Sequence, residues 1–187
     1  MRNTHDVREL LAPFCAPQWD PRKVIRAPFY FQDRVIGTDG KILLAFPTEC
    51  HKADTPLAPD ISKILPPFDQ DIPEDWKAPP PPADITHDNG EVIYCDICNG
   101  RGVLWHTSDE KDGLCPECNA TGIYKDERVT EWCGAPFAYP LFLIVASLPD
   151  VRLATTPKPL ACVPHIWLFS CAADGRGAIV QRTGATP

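Results

Sequence analysis

Near its start the chain repeats apolar residues at the i, i+3, i+4, i+7 spacing that places one apolar stripe along an α-helix: Val7, Leu10, Leu11 and Phe14. The side chain of Thr4 or Asn3 can cap the first turn of this helix. Pro17 has no backbone N–H and is expected to end it. The pattern therefore predicts an N-terminal helix that buries one face.

Extended segments are predicted after this helix. Residues 23–31 (KVIRAPFYF) are expected to be extended, with Pro28 at an edge or a bend. Residues 34–46 (RVIGTDGKILLAF) place apolar runs on both sides of Asp39-Gly40, a pair that supplies the positive φ angles of a tight two-residue turn. We expect a β-hairpin there.

The same order of elements returns in the last third of the chain. Residues 139–149 (YPLFLIVASLP) predict a buried helix, residues 150–155 a strand, and residues 165–182 a second hairpin around Asp174-Gly175. Helix, strand and hairpin thus occur twice, which is a repeat of element order and not of residues. We expect an α+β fold in which the helices of both halves pack under one shared sheet. The middle of the chain would then be an insertion whose two ends lie close together.

The segment between the halves changes character. Nine of the 22 prolines lie in residues 51–89, which hold three basic and eight acidic residues. A stretch of this composition is typical of a polyproline spacer, because proline cannot donate to a sheet ladder or continue a helix. The alternative is a ligand for the aromatic groove of a partner protein, although no flanking basic residue completes such a motif.

Two CxxC pairs follow the spacer: Cys95 with Cys98, and Cys115 with Cys118. Sixteen residues separate the pairs, a spacing that strongly indicates a zinc site. Two such turns facing each other present four thiolates at the corners of a tetrahedron. Four thiolates leave no open position for water, so we expect one structural Zn²⁺ and no hydrolytic site.

The glycines after the cysteines carry a resemblance to a known family. CDICNGRG follows the pattern CxxCxGxG, and CPECNATG follows it with Ala120 in place of the first glycine. Residues 95–122 therefore resemble the cysteine-rich zinc module of DnaJ-type co-chaperones, with two repeats where the full domain has four. The resemblance implies that the glycines let the chain turn back while backbone N–H groups point at sulfur. It implies no co-chaperone activity, because the chain has no HPD motif.

The zinc hairpin can have a purely structural role, or it can also be a contact site for a protein partner. At its tip, Trp105 is expected to pack against its own module, and His106 is not expected to be a ligand. Cys50-His51, and Cys162 with His165, could suggest a second metal. Buried free thiols are the expected state of the five remaining cysteines, since cysteine is among the most buried residue types.

The flanking halves resemble one domain of a bacterial DNA polymerase sliding clamp. VIGTDGKILLAF is similar to a strand–turn–strand of that family, and YPLFLIVASLPDVRLA followed by IWLFSCAADGRGAIVQ is similar to the second half of a clamp domain. The resemblance implies a discontinuous domain of residues 1–50 and 132–187, with a spacer at 51–89 and a zinc module at 90–131. A clamp chain has three such domains and basic helices around its hole, whereas residues 139–148 here carry no charge.

Charge and targeting features narrow the classes of protein further. The net charge is −7, and residues 90–131 hold four basic and nine acidic residues, so the module repels phosphate. The first ten residues contain no apolar stretch of an export signal, and residues 140–149 are about half the length of a membrane span. We expect a cytoplasmic protein with reduced thiols, also because nine cysteines do not suit a complete disulfide framework.

Motifs for common catalytic sites are missing from the chain. HExxH, GxxxxGK[ST] and GxGxxG are absent. A zinc deaminase needs HxE followed by PCxxC, whereas Leu114 precedes Cys115 and no histidine is followed two residues later by Glu. We expect no enzymatic activity.

The sequence thus predicts a non-enzymatic zinc-binding protein that acts through a protein partner, in a size and charge class typical of small phage or mobile-element proteins. The alternative is a nucleic-acid accessory protein, either an oligomeric clamp or a zinc-ribbon DNA binder. A thiol–disulfide enzyme is a third hypothesis. It is weaker because thiolates held on zinc are poor nucleophiles.

Overall fold

The structure, a computed structural model, describes residues 4–48, 54–61, 64, 71–104, 113–115, 117–118, 121–160 and 163–181. The fold is a mixed α+β arrangement. The α-helices are α1 (Thr4–Leu11) and α2 (Tyr139–Ala146), and single 3-10 turns lie at Ala12–Phe14, Lys23–Arg26 and Pro82–Asp84. The strands are β1 (Phe29–Phe31), β2 (Arg34–Thr38), β3 (Ile42–Pro47), β4 (Val92–Tyr94), β5 (Val103–Leu104), β6 (Gly113–Leu114), β7 (Ile123–Asp126), β8 (Val129–Trp132), β9 (Ala135–Ala138), β10 (Arg152–Leu153), β11 (Lys158–Leu160), β12 (Val163–Cys171) and β13 (Gly175–Val180).

One antiparallel sheet joins the two ends of the chain. Its strand order is β1-β2-β3-β13-β12-β10, and β11 also pairs with β12. The two halves meet where β3 pairs with β13, with Ile42 opposite Ile179 and Ala45 opposite Arg176. The prediction of a sheet shared by the two halves is therefore confirmed.

Both faces of this sheet are buried, and the strand period of two sends alternate side chains to opposite faces. Ile42, Leu44 and Phe46 of β3 face a core that also holds buried residues of α1 and α2. Leu43 and Ala45 face the opposite core, which residues of the 16–29 stretch and Ile61 cover. The two helices thus pack against one face of the sheet, as their apolar patterns predict.

Helix α1 ends at Leu11, six residues before Pro17. Pro13 is responsible, because a proline disfavours helical geometry in the residue before it and lacks the N–H that would continue the ladder. The chain continues as a 3-10 turn, which still buries Phe14. The prediction of the helix is confirmed, and its predicted end is wrong.

Residues 23–26 form a 3-10 turn and are not extended as predicted. The carboxylate of Asp20 accepts hydrogen bonds from the backbone N–H and the Nε–H of Arg22, at 2.8 and 3.0 Å. Arg26 Nε donates to the Asp20 carbonyl oxygen. These bonds close the chain into turns, and a strand begins only after Pro28.

The first hairpin is confirmed, but its turn is longer than predicted. Thr38 pairs with Leu43, so four residues lie between these two paired residues. Gly40 has a φ of +91°. The Asp39 side chain accepts hydrogen bonds from the N–H groups of Lys41 and Ile42, which gives Asp39 a role other than positive φ.

The second hairpin is also confirmed, with a different role for its glycine. Cys171 pairs with Gly175, so Gly175 belongs to the strand. The positive φ angles lie at Ala173 (61°) and Asp174 (58°). A Cβ on Gly175 would meet the Cys171 sulfur at 2.4 Å and the Phe46 ring at 2.7 Å. The glycine is needed for close packing and not for the turn.

The stretch predicted to be a spacer contacts the sheet at several points. Thr55 N–H donates to the Tyr30 carbonyl at the β1 edge, and Lys77 pairs with Leu153 of β10. Ile85 is buried in the core that holds both helices. The described parts of residues 51–89 therefore run along the main sheet and cover its edges.

A hairpin that the sequence did not predict connects the module to α2. Strands β8 and β9 pair with Trp132 opposite Ala135. Phe137 is fully buried in the core beside α2, and Trp132 Nε1 donates to the Ala154 carbonyl at 2.9 Å. The domain boundary predicted between residues 131 and 132 falls inside this hairpin.

In the described part of the chain, no helix is both long and apolar enough to span a membrane.

Candidate metal centre

The structure brings the four predicted ligands together. Cys95, Cys98, Cys115 and Cys118 are each at most 5% exposed, and their sulfur atoms lie within 4.8 Å of one another. Cys95 and Cys115 Sγ are 3.8 Å apart, and Cys98 and Cys118 Sγ are 3.6 Å apart. Four buried thiols at this spacing could hold one metal ion.

Each CxxC pair forms a turn that aims backbone N–H groups at sulfur. Gly102 N–H donates to Cys98 Sγ at 3.2 Å, and Gly122 N–H donates to Cys118 Sγ at the same distance. We call residues 95–102 the first knuckle and residues 115–122 the second knuckle. Bonds of this kind favour the thiolate form of the sulfur and lower the cost of gathering negative charge.

The two knuckles hold each other through reciprocal backbone bonds. Cys95 N–H donates to the Gly122 carbonyl and Cys115 N–H donates to the Gly102 carbonyl, both at 2.8 Å. Gly102 and Gly122 have φ angles of +76° and +75°. A Cβ on Gly122 would lie 2.2 Å from the Gly100 carbonyl oxygen. The glycine pattern is thus required by backbone geometry and by close approach.

Short antiparallel strand pairs continue from both sides of the knuckles. β5 pairs with β6 on the far side, and β4 pairs with β7 on the near side. Where the chain enters and leaves the module, Asp88 N–H donates to the Val129 carbonyl, and the Asp88 carboxylate accepts the Val129 N–H at 2.7 Å. The two ends of the insertion therefore lie side by side, as predicted.

An ion pair and two rings brace this junction. Arg128 donates to both carboxylate oxygens of Asp126, at 2.9 and 2.6 Å. This bond holds the pKa of Asp126 below its usual value. The guanidinium also lies 4.6 Å from the centre of the Tyr139 ring, at the start of α2, and His87 packs on the same ring. The module thus joins the body through β7 and α2.

The thiols of the cluster differ in acidity. Burial raises the pKa of Cys95, but hydrogen bonds from Tyr124, Cys98 and Cys118 outweigh it and lower that pKa to about 6. Burial raises the pKa of Cys118 to about 11, since the neighbouring thiols add to the effect. The pKa of Tyr124 is raised by its hydrogen bonds to Cys95 and Asp96. A bound cation would favour the ionised form of all four thiols.

The cluster fits a tetrahedral four-thiolate ion. With metal–sulfur bonds of about 2.3 Å, the edge of a regular tetrahedron is about 3.8 Å. Two of the sulfur separations, 3.8 and 3.6 Å, match this edge, and all four sulfur atoms lie within 4.8 Å of one another. The donor set is soft and all-sulfur, which suits zinc or iron and not magnesium or calcium.

Other cysteines stand apart from the cluster. Cys15 is half-buried, with a pKa that burial raises to about 11. Cys171 is buried as predicted, whereas the prediction of a buried thiol is wrong for Cys133, which is exposed. Within the described ranges, no second group of three metal-binding side chains occurs. Cys50, His51 and Cys162, which could suggest a second metal, lie outside the described residues, as do Trp105 and His106 at the predicted tip. His165, the partner suggested for Cys162, is exposed on β12.

The module exposes large apolar side chains that the sequence analysis did not single out. Ile93, Tyr94, Ile97 and Tyr124 are 38–64% exposed. Their positions beside the CxxC pairs indicate this exposure only weakly, because the alternation of residues along such short paired strands does not show which face is covered. The Tyr94 ring lies against Gly100, and Tyr124 donates to Asp96 at 2.9 Å.

Comparison with known proteins gave no match: no family model, no curated protein and no solved structure is significantly similar to this chain. The resemblances to a DnaJ-type module and to a sliding-clamp domain stay predictions.

Proposed function

We propose that the protein is a non-enzymatic zinc-binding protein that acts by contacting another protein. The observation that carries the proposal is the closed cluster of Cys95, Cys98, Cys115 and Cys118, buried and held by N–H···S bonds. A closed four-thiolate site offers no position for a substrate or an activated water, so its use is structural. Zinc would supply folding energy to a segment with few other core residues.

The surface of the module supports a contact role. Tyr94 and Tyr124 are 64% and 46% exposed, and Ile97 is 55% exposed. Tyrosine is enriched at protein interfaces, since its ring is apolar and its hydroxyl tolerates water. A metal-stapled hairpin that presents these side chains would offer a rigid surface, which lowers the entropic cost of binding.

The metal part of the proposal is tested by metal content. The purified full chain should carry one zinc per chain, and Cys95→Ser should lose it together with the protection of the module backbone from hydrogen exchange. Cys133→Ser is the matched control, because Cys133 is exposed and outside the cluster. Full zinc content in Cys95→Ser would contradict the assignment.

The contact part is tested by affinity capture from host extract. The structure indicates a clean deletion that joins Gly90 to Arg128, because a Cβ on Gly90 would lie 2.6 Å from Arg128 N. A specific protein bound by the full chain and lost with this deletion and with Cys95→Ser supports the proposal. If the partner protein is still captured by both variants, the role of the module is only structural.

The nucleic-acid alternative has weaker support. The net charge is −7, and α2 carries no charged residue. A clamp or zinc-ribbon DNA binder predicts ring-sized oligomers, or DNA affinity that falls steeply with salt. Sedimentation together with a DNA titration at low salt tests this alternative. A thiol–disulfide enzyme predicts insulin reductase activity that is lost in the cysteine variants.

A further inference from the structure

A cleft of about 450 Å³ lies between the second knuckle and the N-terminal stretch that follows α1. One side comes from residues after the helix and from α2, and the other from the second knuckle and β7. Its lining includes Pro13, Pro17, Trp19, Glu117, Ile123 and Tyr124.

Two aromatic side chains and a carboxylate line this cleft. Trp19 is 66% exposed and Tyr124 is 46% exposed, although both carry large aromatic side chains of the kind that cores usually bury. The face of an aromatic ring attracts cations, and tryptophan does so best. Glu117 is exposed and supplies the negative charge. Aromatic faces next to a carboxylate are the chemistry that recognises an ammonium or guanidinium group.

Charge around the cleft favours the same kind of ligand. Among the lining residues that the structure describes there is no lysine and no arginine. Two nearby cations of the module are already paired, Lys125 with Glu127 at 2.6 Å and Arg128 with Asp126. Residues 90–131 hold nine acidic and four basic residues. The local field therefore attracts positive segments and repels phosphate.

We propose that this cleft binds a lysine or arginine side chain from a basic segment of a protein partner. The charged group would lie against the rings of Trp19 and Tyr124 near Glu117. Pro13, Pro17 and Ile123 would contact its methylene groups, since long cationic side chains bury their stems on apolar surface. The inference rests on the proposed function, because it takes the partner to be a protein. It adds the sign of the partner's charge and the residues that recognise the charged group.

A labelled tetra-arginine peptide is the probe, titrated by fluorescence anisotropy into the zinc-loaded full chain at low ionic strength. A tetra-glutamate peptide should not bind. Trp19→Ala is expected to weaken tetra-arginine binding about threefold or more, and Glu117→Gln about two- to fivefold.

Matched controls separate the cleft from general electrostatics. Glu131→Gln removes one exposed carboxylate outside the cleft, and Leu57→Ala removes a 94% exposed apolar side chain elsewhere. Both should bind as the unaltered chain does. Equal weakening by Glu117→Gln and Glu131→Gln, no effect of Trp19→Ala, or no binding of tetra-arginine overturns the inference.

Two outcomes distinguish a wrong assignment of the cleft from a wrong proposed function. If Cys95→Ser abolishes capture of the protein partner while Trp19→Ala leaves it unchanged, the module is the contact site and the cleft is not. If Cys95→Ser leaves both zinc content and capture unchanged, the proposed function itself is wrong.

Discussion

At the scale of single residues, Gly122 decides whether the two knuckles can close. It has a φ of +75°, and an added Cβ would lie 2.2 Å from the Gly100 carbonyl oxygen. We expect Gly122→Ala to lower zinc affinity more than about tenfold, because left-handed strain of about 1–2 kcal/mol adds to this overlap. Competition with a chromophoric chelator measures the affinity.

The control for this substitution is Gly134→Ala. Gly134 has a φ of +78°, but among the described residues no heavy atom outside its chain neighbours would lie within 4 Å of an added Cβ. This variant should lose about 1 kcal/mol of stability from backbone strain alone and keep full zinc affinity. Equal loss of zinc affinity in both variants would show that the contact with Gly100 is unimportant.

A second residue-scale prediction concerns acid stability. Asp20 has a pKa of about 2, below the ordinary 3.8, because Arg22 donates hydrogen bonds to its carboxylate. The ionised carboxylate therefore stabilises the fold above pH 3.8, and this stabilisation is lost as the pH falls toward about 2.

Urea unfolding over a pH series tests that prediction. Asp20→Asn should be less stable than the unaltered chain at neutral pH, and the difference should shrink as the pH falls from about 4 toward about 2. A difference that stays constant over this range would assign the effect to the lost hydrogen-bond geometry and not to the charge.

At the scale of elements, β13 is the strand that joins the two halves, and it approaches its neighbours closely. A Cβ on Gly177 would lie 2.0 Å from the Phe169 ring of β12 and 2.5 Å from the Leu43 carbonyl of β3. We expect Gly177→Ala to destabilise the sheet by about 1–3 kcal/mol through overpacking. Thermal or urea unfolding measures the loss.

Gly113→Ala in β6 is the matched strand control. In the part of the chain that the structure describes, no heavy atom beyond its chain neighbours lies within 4 Å of the place a Cβ would take, so the change should have little effect on unfolding. A stable Gly177→Ala variant would mean that Phe169 can move aside without cost, and the close approach of β12 and β13 would then not limit the sequence.

At the scale of the whole molecule, the core of the module is separate from the cores of the sheet. Among the described residues, the module's buried hydrophobic cluster consists of the four cysteines alone, while the two apolar cores on either side of the sheet contain none of them. We expect chelation of the metal to remove hydrogen-exchange protection at Cys95, Gly102, Cys115 and Gly122 and to leave β3 and β13 protected.

Hydrogen exchange of the full chain, with and without a chelator, makes this measurement. Cys133→Ser should behave as the unaltered chain, and Cys95→Ser should match the chelated state without any chelator. Simultaneous loss of protection in the module and the sheet would show that the two unfold as one cooperative unit. The braces at Arg128 and Tyr139 would then be strong enough to couple them.

The sequence by itself determined the local features of this protein. Apolar spacing placed the helix that buries Leu11, with Phe14 just after it, and the helix that begins at Tyr139, because helix and strand periods depend only on backbone geometry. The CxxCxGxG repeats named the four thiols that the structure gathers, because the ligand spacing and the glycine φ angles are set within a few residues.

Only the tertiary structure decided what distant segments do together. Gly175 lies in a strand where Phe46, far away in the chain, leaves no room for a Cβ. The Pro-rich stretch lies along the sheet because Lys77 pairs with Leu153 and Ile85 is buried in the core that holds both helices. Trp19 and Glu117 line one cleft although they are far apart in the chain. Such contacts depend on which surfaces remain uncovered after the sheet has formed, and no local pattern in the chain records that.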